Sequence, residues 1–399
     1  MRQKAAGGRH GGPRLPACRV LIPLATPCLY GLERAVIETF DILRPEVTPQ
    51  FVQSHAVLRR RPPIIEELER RELQLFLLPD GEGWPRLARG RSARHLLQML
   101  LAFVKGNWYY AHVVRQSDAL YVTSAYAALF TLAAAVRCRV AGKPVVHHFH
   151  ELANRRLPRI WSSLVTDCLH NTAFGRDAAI AVDDGLRRKQ HAVLPCIVDV
   201  SHHLAGNGPL EGNGRQNIVF AGQVAFHKGI DLLIEAFTRI AARHPDAVLH
   251  IVGGCEELYL PAFRSMCEQS AAADQIKYWG YRADAPAFFR DAYICVQSTP
   301  PSRCAESFGR TVVEAMAFGV PTVCLRSGGL AEIVLDGETG LICSETADSL
   351  AAGIDRYLED RTFRDECGSG ALRRYRECYS PEVVRPLWVR FFDGLGSMA

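Results

Sequence analysis

The sequence predicts an α/β protein of two doubly wound domains joined by a linker, and three observations carry that prediction. Short β-branched runs alternate with segments of helical period from end to end, the pattern of parallel sheets covered on both faces. The alternation stops in the Gly- and Asn-rich stretch SHHLAGNGPLEGNGRQ, residues 201–216, and then restarts. At 399 residues the chain has room for two domains that each bury a core.

Residues 1–16, MRQKAAGGRHGGPRLP, are basic and Gly-rich and read as a flexible tail. The apolar run behind them is broken by Arg19, Pro23 and Pro27 and offers no small-residue cleavage site, so a secretory signal is not expected. Residues 17–204 are assigned to the first domain, with CRVLIPLA as its first strand and LERAVIETFDIL as the helix after it. The uncharged stretch Ala119 to Val136 splits into a strand, ALYVTS, and an Ala-rich helix, which argues against a membrane span. PVVHHFH and AAIAV read as further strands, the latter followed by helical DGLRRKQ. Residues 205–216 are the linker, and residues 217–379 the second domain. There the strands NIVFAG, AVLHIVGG, KYWGY, YICVQST and PTVCL alternate with helical runs that include KGIDLLIEAFTRIAARH and RTVVEAMAFG. A last segment, residues 380–399, opens with the helical run SPEVVRPLWVRFFDGL.

Hydrophobic residues at 48% and charged residues at 22% exclude a disordered, collagenous or coiled-coil chain. The net charge of +5 hides an asymmetry: residues 1–200 carry 28 Lys and Arg against 17 acids, residues 201–399 carry 19 against 25. A basic first half suits an anionic partner such as a membrane surface or a lipid phosphate, or is simply a solvated Arg-rich surface. The 13 cysteines form no CxxC pair and mostly sit in apolar runs, as Cys295 and Cys324 do, which points to a reducing, cytoplasmic setting.

Neither first strand leads into GxGxxG, and no GxxxxGK[ST], DxD or metal-spaced His/Cys set occurs. Hydride transfer, common NTPase chemistry and a dedicated metal site are therefore not expected. The informative stretch is residues 301–343, where Glu306 falls in a loop and Glu314 lies inside a helix beginning near Gly309. The first amides of that helix, on Phe308, Gly309, Arg310 and Thr311, would form an anion site. A carboxylate on either side of a phosphate can accept from paired hydroxyls, which fits a nucleotide-sugar; the alternative is a capping acid and an ordinary helix acid.

ESFGRTVVEAMAFGVPT places two Glu with seven residues between them, and so resembles the glycosyltransferase group 1 family, family 4, retaining, of GT-B fold. The likeness extends through NIVFAGQVAFHKGIDLLIEAF, AVLHIVGG, KYWGY and GGLAEIVLDGETGLI, and more faintly through GLERAVIE, KPVVHHFHEL and DAAIAVDDGLRR. It implies a metal-independent hexosyl-type transferase with a nucleoside diphosphate sugar as donor and no cofactor. It implies that Glu306 contacts the donor sugar, Glu314 the ribose, Lys228 the diphosphate and His150 the region of the reacting carbon, with Gly222, Ser307, Phe308, Gly309, Arg310 and Thr311 around the donor. It also implies that the last helix crosses back onto the first domain.

Three positions depart from the family pattern. Gln223 stands where the family has an arginine beside the diphosphate, leaving Arg310 or His227 as substitute cations, or else a slow or degenerate site. The first strand–helix turn has one glycine, Gly31, instead of two, and VLPCIVDV keeps Asp199 but carries Cys196 and Ile197 in place of Asn and Gly. Of His147 and His148, alternation puts one in the core.

The acceptor falls to the basic first domain. LRRRPP, with Arg59 to Arg61, and WPRLARGRSARHLLQMLLAFVK, with Arg86, Arg89, Arg91 and Arg94, suit either a helix lying on an anionic membrane or an ordinary helix with its apolar side on the sheet. Family context makes cell-surface polysaccharide, lipopolysaccharide or glycolipid assembly the expected pathway, with an anionic or lipid-linked glycan acceptor, peripheral membrane contact at the inner face of the membrane and no nucleic acid. A nucleotide-sugar epimerase of the same architecture, or a catalytically weak partner of another transferase, are the rival readings.

Overall fold

The computed structural model describes residues 17–24, 31–44, 46–54, 63–78, 93–150, 157–206, 208–210 and 216–396. The tail 1–16, Arg59 to Arg61, Arg86, Arg89 and Arg91 lie outside the described residues.

Two parallel sheets form the frame. The first runs through β1 (Cys18–Pro23), β2 (Val47–Ser54), β3 (Leu75–Leu78), β4 (Ala119–Val122), β5 (Val145–Phe149), β6 (Asp167–His170) and β7 (Gln190–Val193). Its order is β3-β2-β1-β4-β5-β6-β7. The second holds β8 (Gln216–Ala221), β9 (Ala247–Val252), β10 (Ile276–Gly280), β11 (Ile294–Gln297), β12 (Thr322–Leu325) and β13 (Gly340–Cys343), in the order β10-β9-β8-β11-β12-β13. Both are doubly wound, reversing direction beside their first strand. The linker ends one residue before the predicted point, because Gln216 already pairs with Ala247.

Strands buried on both faces explain the continuous apolar runs. In β8, Ile218 and Phe220 enter one core cluster while Val219 enters another on the opposite face. The helix Ile230–Ala241 presents Ile230, Leu233, Ile234, Phe237 and Ile240 to the first of these, a helical-period stripe.

One predicted strand is a helix. AAIAV belongs to the helix Ala173–Val182, started by Thr172, whose Oγ1 accepts from the Gly175 amide at 3.1 Å. The strand in that part of the sheet is β6, whose sequence DCLH has little β-character; pairing with β5 and β7 on either side makes it one. Two strands without a clear signal, β2 and β3, extend the other edge.

The helix Pro381–Gly396 returns to the first domain. Val384, Trp388, Phe392 and Leu395 join Val20, Ile37, Phe40 and Tyr121 in one buried cluster. Trp388 Nε1 donates to the Pro195 carbonyl at 2.9 Å and Arg385 Nε to the Ile42 carbonyl at 2.9 Å. No helix among the described residues is long and apolar enough to cross a membrane.

Trp388→Ala should lower stability by about 3–5 kcal/mol, read as a shift of the urea midpoint. The loss should appear in the first domain although the residue lies at the far end of the chain; an unchanged midpoint would mean the helix is not part of that core.

Candidate active site

The second sheet reverses between β8 and β11, and the loops leaving these two strands meet there. After β8 the chain passes Gly222 and Gln223 into the tight turn Phe226–Lys228 and then Gly229, which opens the next helix at φ 67°. A Cβ on Gly229 would lie 2.1 Å from the Ser298 carbonyl, so only glycine lets the two loops touch. Ser298 Oγ donates to the Lys228 carbonyl at 2.9 Å. Lys228 Nζ reaches Glu306 Oε1 at 2.6 Å, and Thr299 Oγ1 donates to the same oxygen at 2.7 Å. Burial pushes the Glu306 carboxyl up, but Lys228 and Thr299 outweigh it and hold the group below the ordinary carboxylate value.

The next four residues cross to the first domain. Ser307 Oγ donates to the His150 carbonyl, and the Ser307 carbonyl accepts from Thr172 Oγ1 at 2.7 Å. Phe308 enters an apolar cluster with Ala35, Cys196, Val198 and Val200, while Ile197, the other altered residue of VLPCIVDV, packs in the first-domain cluster with Trp388. Gly309, at φ 85°, caps the helix Arg310–Ala317 without a side-chain acceptor, and a Cβ there would meet Leu330 at 2.2 Å. Arg310 Nε donates to Glu314 at 2.9 Å, and its Nη2 to Glu38 from the first domain's helix Gly31–Ile42. Burial works against the Arg310 charge, yet Glu38 and Glu314 raise its pKa and keep it charged.

A second cross-domain bond set comes from Glu332, whose carboxylate accepts from the amides of Ala173 and Phe174 at the start of the Ala173–Val182 helix.

His150, at the end of β5, sits in a chain of hydrogen bonds that fixes its proton. Tyr121 OH bonds His148 Nδ1, His148 Nε2 bonds Asn171 Oδ1 at 2.9 Å, and Asn171 Nδ2 faces His150 Nδ1 at 3.5 Å. An amide nitrogen only donates, so His150 Nδ1 accepts and its proton lies on Nε2. That Nε2 is buried without a partner among the described residues, leaving an N–H donor for a ligand oxygen. Burial pushes His150 down to about 3, so the ring is neutral. Both His147 and His148 are core residues, contrary to the expectation of one: they face opposite sides of β5, toward Trp161 and toward Tyr121 and Trp388.

The structure thus brings together His150, Lys228, Glu306, Ser307, Phe308, Gly309 and Arg310. Both candidate substitute cations lie beside carboxylates, although Arg310 keeps a buried Nη1 with no partner among the described residues. Gln223 Nε2 donates to Glu256 at 3.2 Å, His227 lies 3.8 Å from the same carboxylate, and Arg310 is held by Glu38 and Glu314. Gly31 is the first residue of its helix, while Glu151 and Leu152 lie outside the described residues. Sequence reasoning gave no role to Glu38, Tyr121, Asn171, Thr172 and Glu332, although Glu38 closes GLERAVIE and Glu332 lies in GGLAEIVLDGETGLI; Asn171 and Thr172 belong to no quoted motif. The group among the described residues that could hold a metal is His244, Asp355 and Glu359, on the outside of the second domain, where Asp355 already binds Arg243 and His244.

Residues 208–374 match the family model of the glycosyl transferases group 1. Among curated relatives, mannosylfructose-phosphate synthase of Agrobacterium fabrum is 32% identical over 207 residues, 48% of this chain and 44% of that protein. Phosphatidyl-myo-inositol mannosyltransferase of Mycobacterium tuberculosis is 30% identical over 256 residues, 59% of this chain and 65% of that protein. The match thus spans about half to two thirds of these relatives' length. A crystal structure of Anabaena HepE in complex with UDP aligns with a TM-score of 0.74 at 18% identity, covering 95% of this chain and all of that one.

His147, His150 and His170 are pushed down to about 3 and His148 well below its ordinary value, in each case chiefly by burial. The folded state therefore holds neutral rings that the unfolded chain protonates below about pH 6.5. Stability should be complete above that pH and fall as pH drops toward 3, by as much as about 1.4 kcal/mol per pH unit for each histidine. Urea midpoints measured from pH 7.5 to 5 check this, and a flat profile would place the rings in water.

Proposed function

We propose, from a chain whose residues 208–374 belong to the glycosyl transferases group 1 family and whose two sheets take the GT-B arrangement, that it transfers a sugar from a nucleoside diphosphate sugar to an acceptor hydroxyl with retention. The observation that carries this reading is the Lys228–Glu306 pair at the switch point of the second sheet, beside the uncapped start of the Arg310–Ala317 helix. An ammonium and free helix amides suit a diphosphate; a carboxylate suits sugar hydroxyls.

In this reading the donor diphosphate takes over the Lys228 ammonium, and Glu306 turns its lone pairs to hydroxyls of the sugar. Glu314, held by Arg310, receives the ribose. The His150 Nε2 donor meets an oxygen of the sugar near the reacting carbon. As the bond to the diphosphate breaks, its growing negative charge falls on Lys228 and the amides of Gly309, Arg310 and Thr311, and the acceptor hydroxyl attacks from the face the leaving group vacates, its proton passing to the departing diphosphate oxygen. No metal is assigned a part. UDP in the aligned HepE structure supports a nucleoside diphosphate, and a relative named for transfer to phosphatidyl-myo-inositol supports a lipid-linked acceptor in glycolipid or cell-surface polysaccharide assembly, at the cytoplasmic side of the membrane.

Thermal midpoints with UDP, GDP and ADP, each with and without its sugars, test the donor site. One nucleotide should stabilise the chain by about 2.7 kcal/mol at 100 times its dissociation constant, and Glu306→Gln and Lys228→Ala should abolish the shift. No shift by any nucleotide at millimolar concentration would overturn the reading.

A further inference from the structure

Where the loops leaving β8 and β9 meet, Gln223, His227 and Glu256 gather beside the Lys228–Glu306 pair. Gln223 Nε2 donates to Glu256 Oε1 at 3.2 Å, and His227 Nδ1 lies 3.8 Å from the same oxygen. The tight turn Phe226–Lys228 sets His227 next to Lys228, and the Glu306 charge acts on both. On the other side of this turn Arg303 stacks over the Phe226 ring, but Asp231 already holds it in a two-pronged pair at 2.6 and 2.8 Å. Arg310 is likewise held, by Glu38 and Glu314.

The charges at this corner do not suit an anion as they stand. With the His227 ring neutral, Lys228 faces two carboxylates, Glu306 and Glu256, and Gln223 brings no charge, so the corner is negative before a ligand arrives. Burial keeps the ring below its ordinary pKa and Lys228 acts in the same direction, against the pull of Glu256 and Glu306, which leaves it uncharged at neutral pH. An anion set down beside Lys228 reverses that balance, because a negative charge nearby favours the protonated imidazole. The side chain is 36% exposed, so the proton can come directly from water.

We propose that His227 takes up a proton as the donor diphosphate binds and becomes the second cation of the diphosphate site, with Glu256 holding the imidazolium on its Nδ1 side. Neutral imidazole and one solvent proton give imidazolium on binding, and the proton returns to water when the nucleoside diphosphate leaves. This inference rests on the donor site proposed above and adds a proton as its co-ligand. Uptake and affinity are linked, so affinity depends on pH. Between the lowered pKa of the empty protein and the raised pKa of the complex, binding tightens as pH falls, by at most about tenfold per pH unit for one proton. Above that window neither state holds the proton, below it both do, and the dependence vanishes.

Calorimetric titration of the full chain with UDP-glucose, GDP-mannose and ADP-glucose tests it, since these diphosphate esters have no proton to lose near neutrality. Run at pH 7 in PIPES and again in Tris, the difference in heat reads the protons exchanged. Binding should take up a proton, and Kd should fall about tenfold from pH 8 to pH 6. His227→Gln should abolish the uptake and flatten the pH profile. Adding Gln223→Arg to that variant should restore tight binding at pH 8 without uptake, because a permanent charge then does what the proton did. His203→Gln, which removes the histidine on which Glu314 acts, should take up the proton as the parent chain does. Binding without proton uptake, or uptake that persists in His227→Gln, would overturn this proposal and leave the donor site standing. Absence of binding by all three nucleotide sugars, in the parent and in Gln223→Arg alike, would overturn both.

Discussion

Arg310 carries one carboxylate from each domain on a single buried guanidinium, and the geometry between the domains hangs on it. Its charge is answered through Nε and Nη2, while Nη1 is buried without a partner among the described residues; removing one partner of a buried pair typically costs about 3–5 kcal/mol, because the remaining charge stays out of water. Arg310 can reach both Glu38 and Glu314 because Gly309 turns the chain with a positive φ immediately before it. The same turn presses Ser307 against His150 and Thr172 and drops Phe308 into the apolar cluster between the domains. Domain apposition and the placement of the candidate site are one constraint, satisfied within four consecutive residues.

Each carboxylate around that turn has a local partner, though for Glu256 it is the neutral Gln223 amide and a His227 ring whose pKa burial pushes down. Lys228 answers Glu306, Arg310 answers Glu314 and Glu38, and Glu256 takes both Gln223 and His227. The neutral donors are fixed as well, since the Tyr121–His148–Asn171 chain settles which nitrogen of His150 holds its proton. When a charged ligand arrives the His150 donor and the helix amides are already in place, and it is the Lys228–Glu306 pair that must exchange partners.

The second domain was legible because its strands are continuous β-branched runs and its site lies in one segment, residues 301–343, joined to Lys228 by a glycine that the local sequence shows. The first domain was harder. AAIAV has the composition of a strand but follows a Thr172 cap, whereas DCLH is a strand only because its two neighbours pair with it. Tyr121, His148 and Asn171 come from three different strand ends and meet only through the order of the sheet, so no spacing along the chain announces them. Glu38 reads as a helix acid until a cation from 272 residues away arrives beside it. The exchange of Arg for Gln at 223 was visible, but that both supposed stand-ins, His227 and Arg310, are turned to carboxylates needed coordinates.

The helix Pro381–Gly396 finishes the core that β1 begins. During synthesis, therefore, the domain that emerges first from the ribosome stays open along one face until the last part of the chain is made, while the second domain, whose strands run from Gln216 to Cys343, can close earlier. Until that helix docks, Phe40 and Tyr121, rather than the rim of the sheet, are the apolar surface a chaperone would meet.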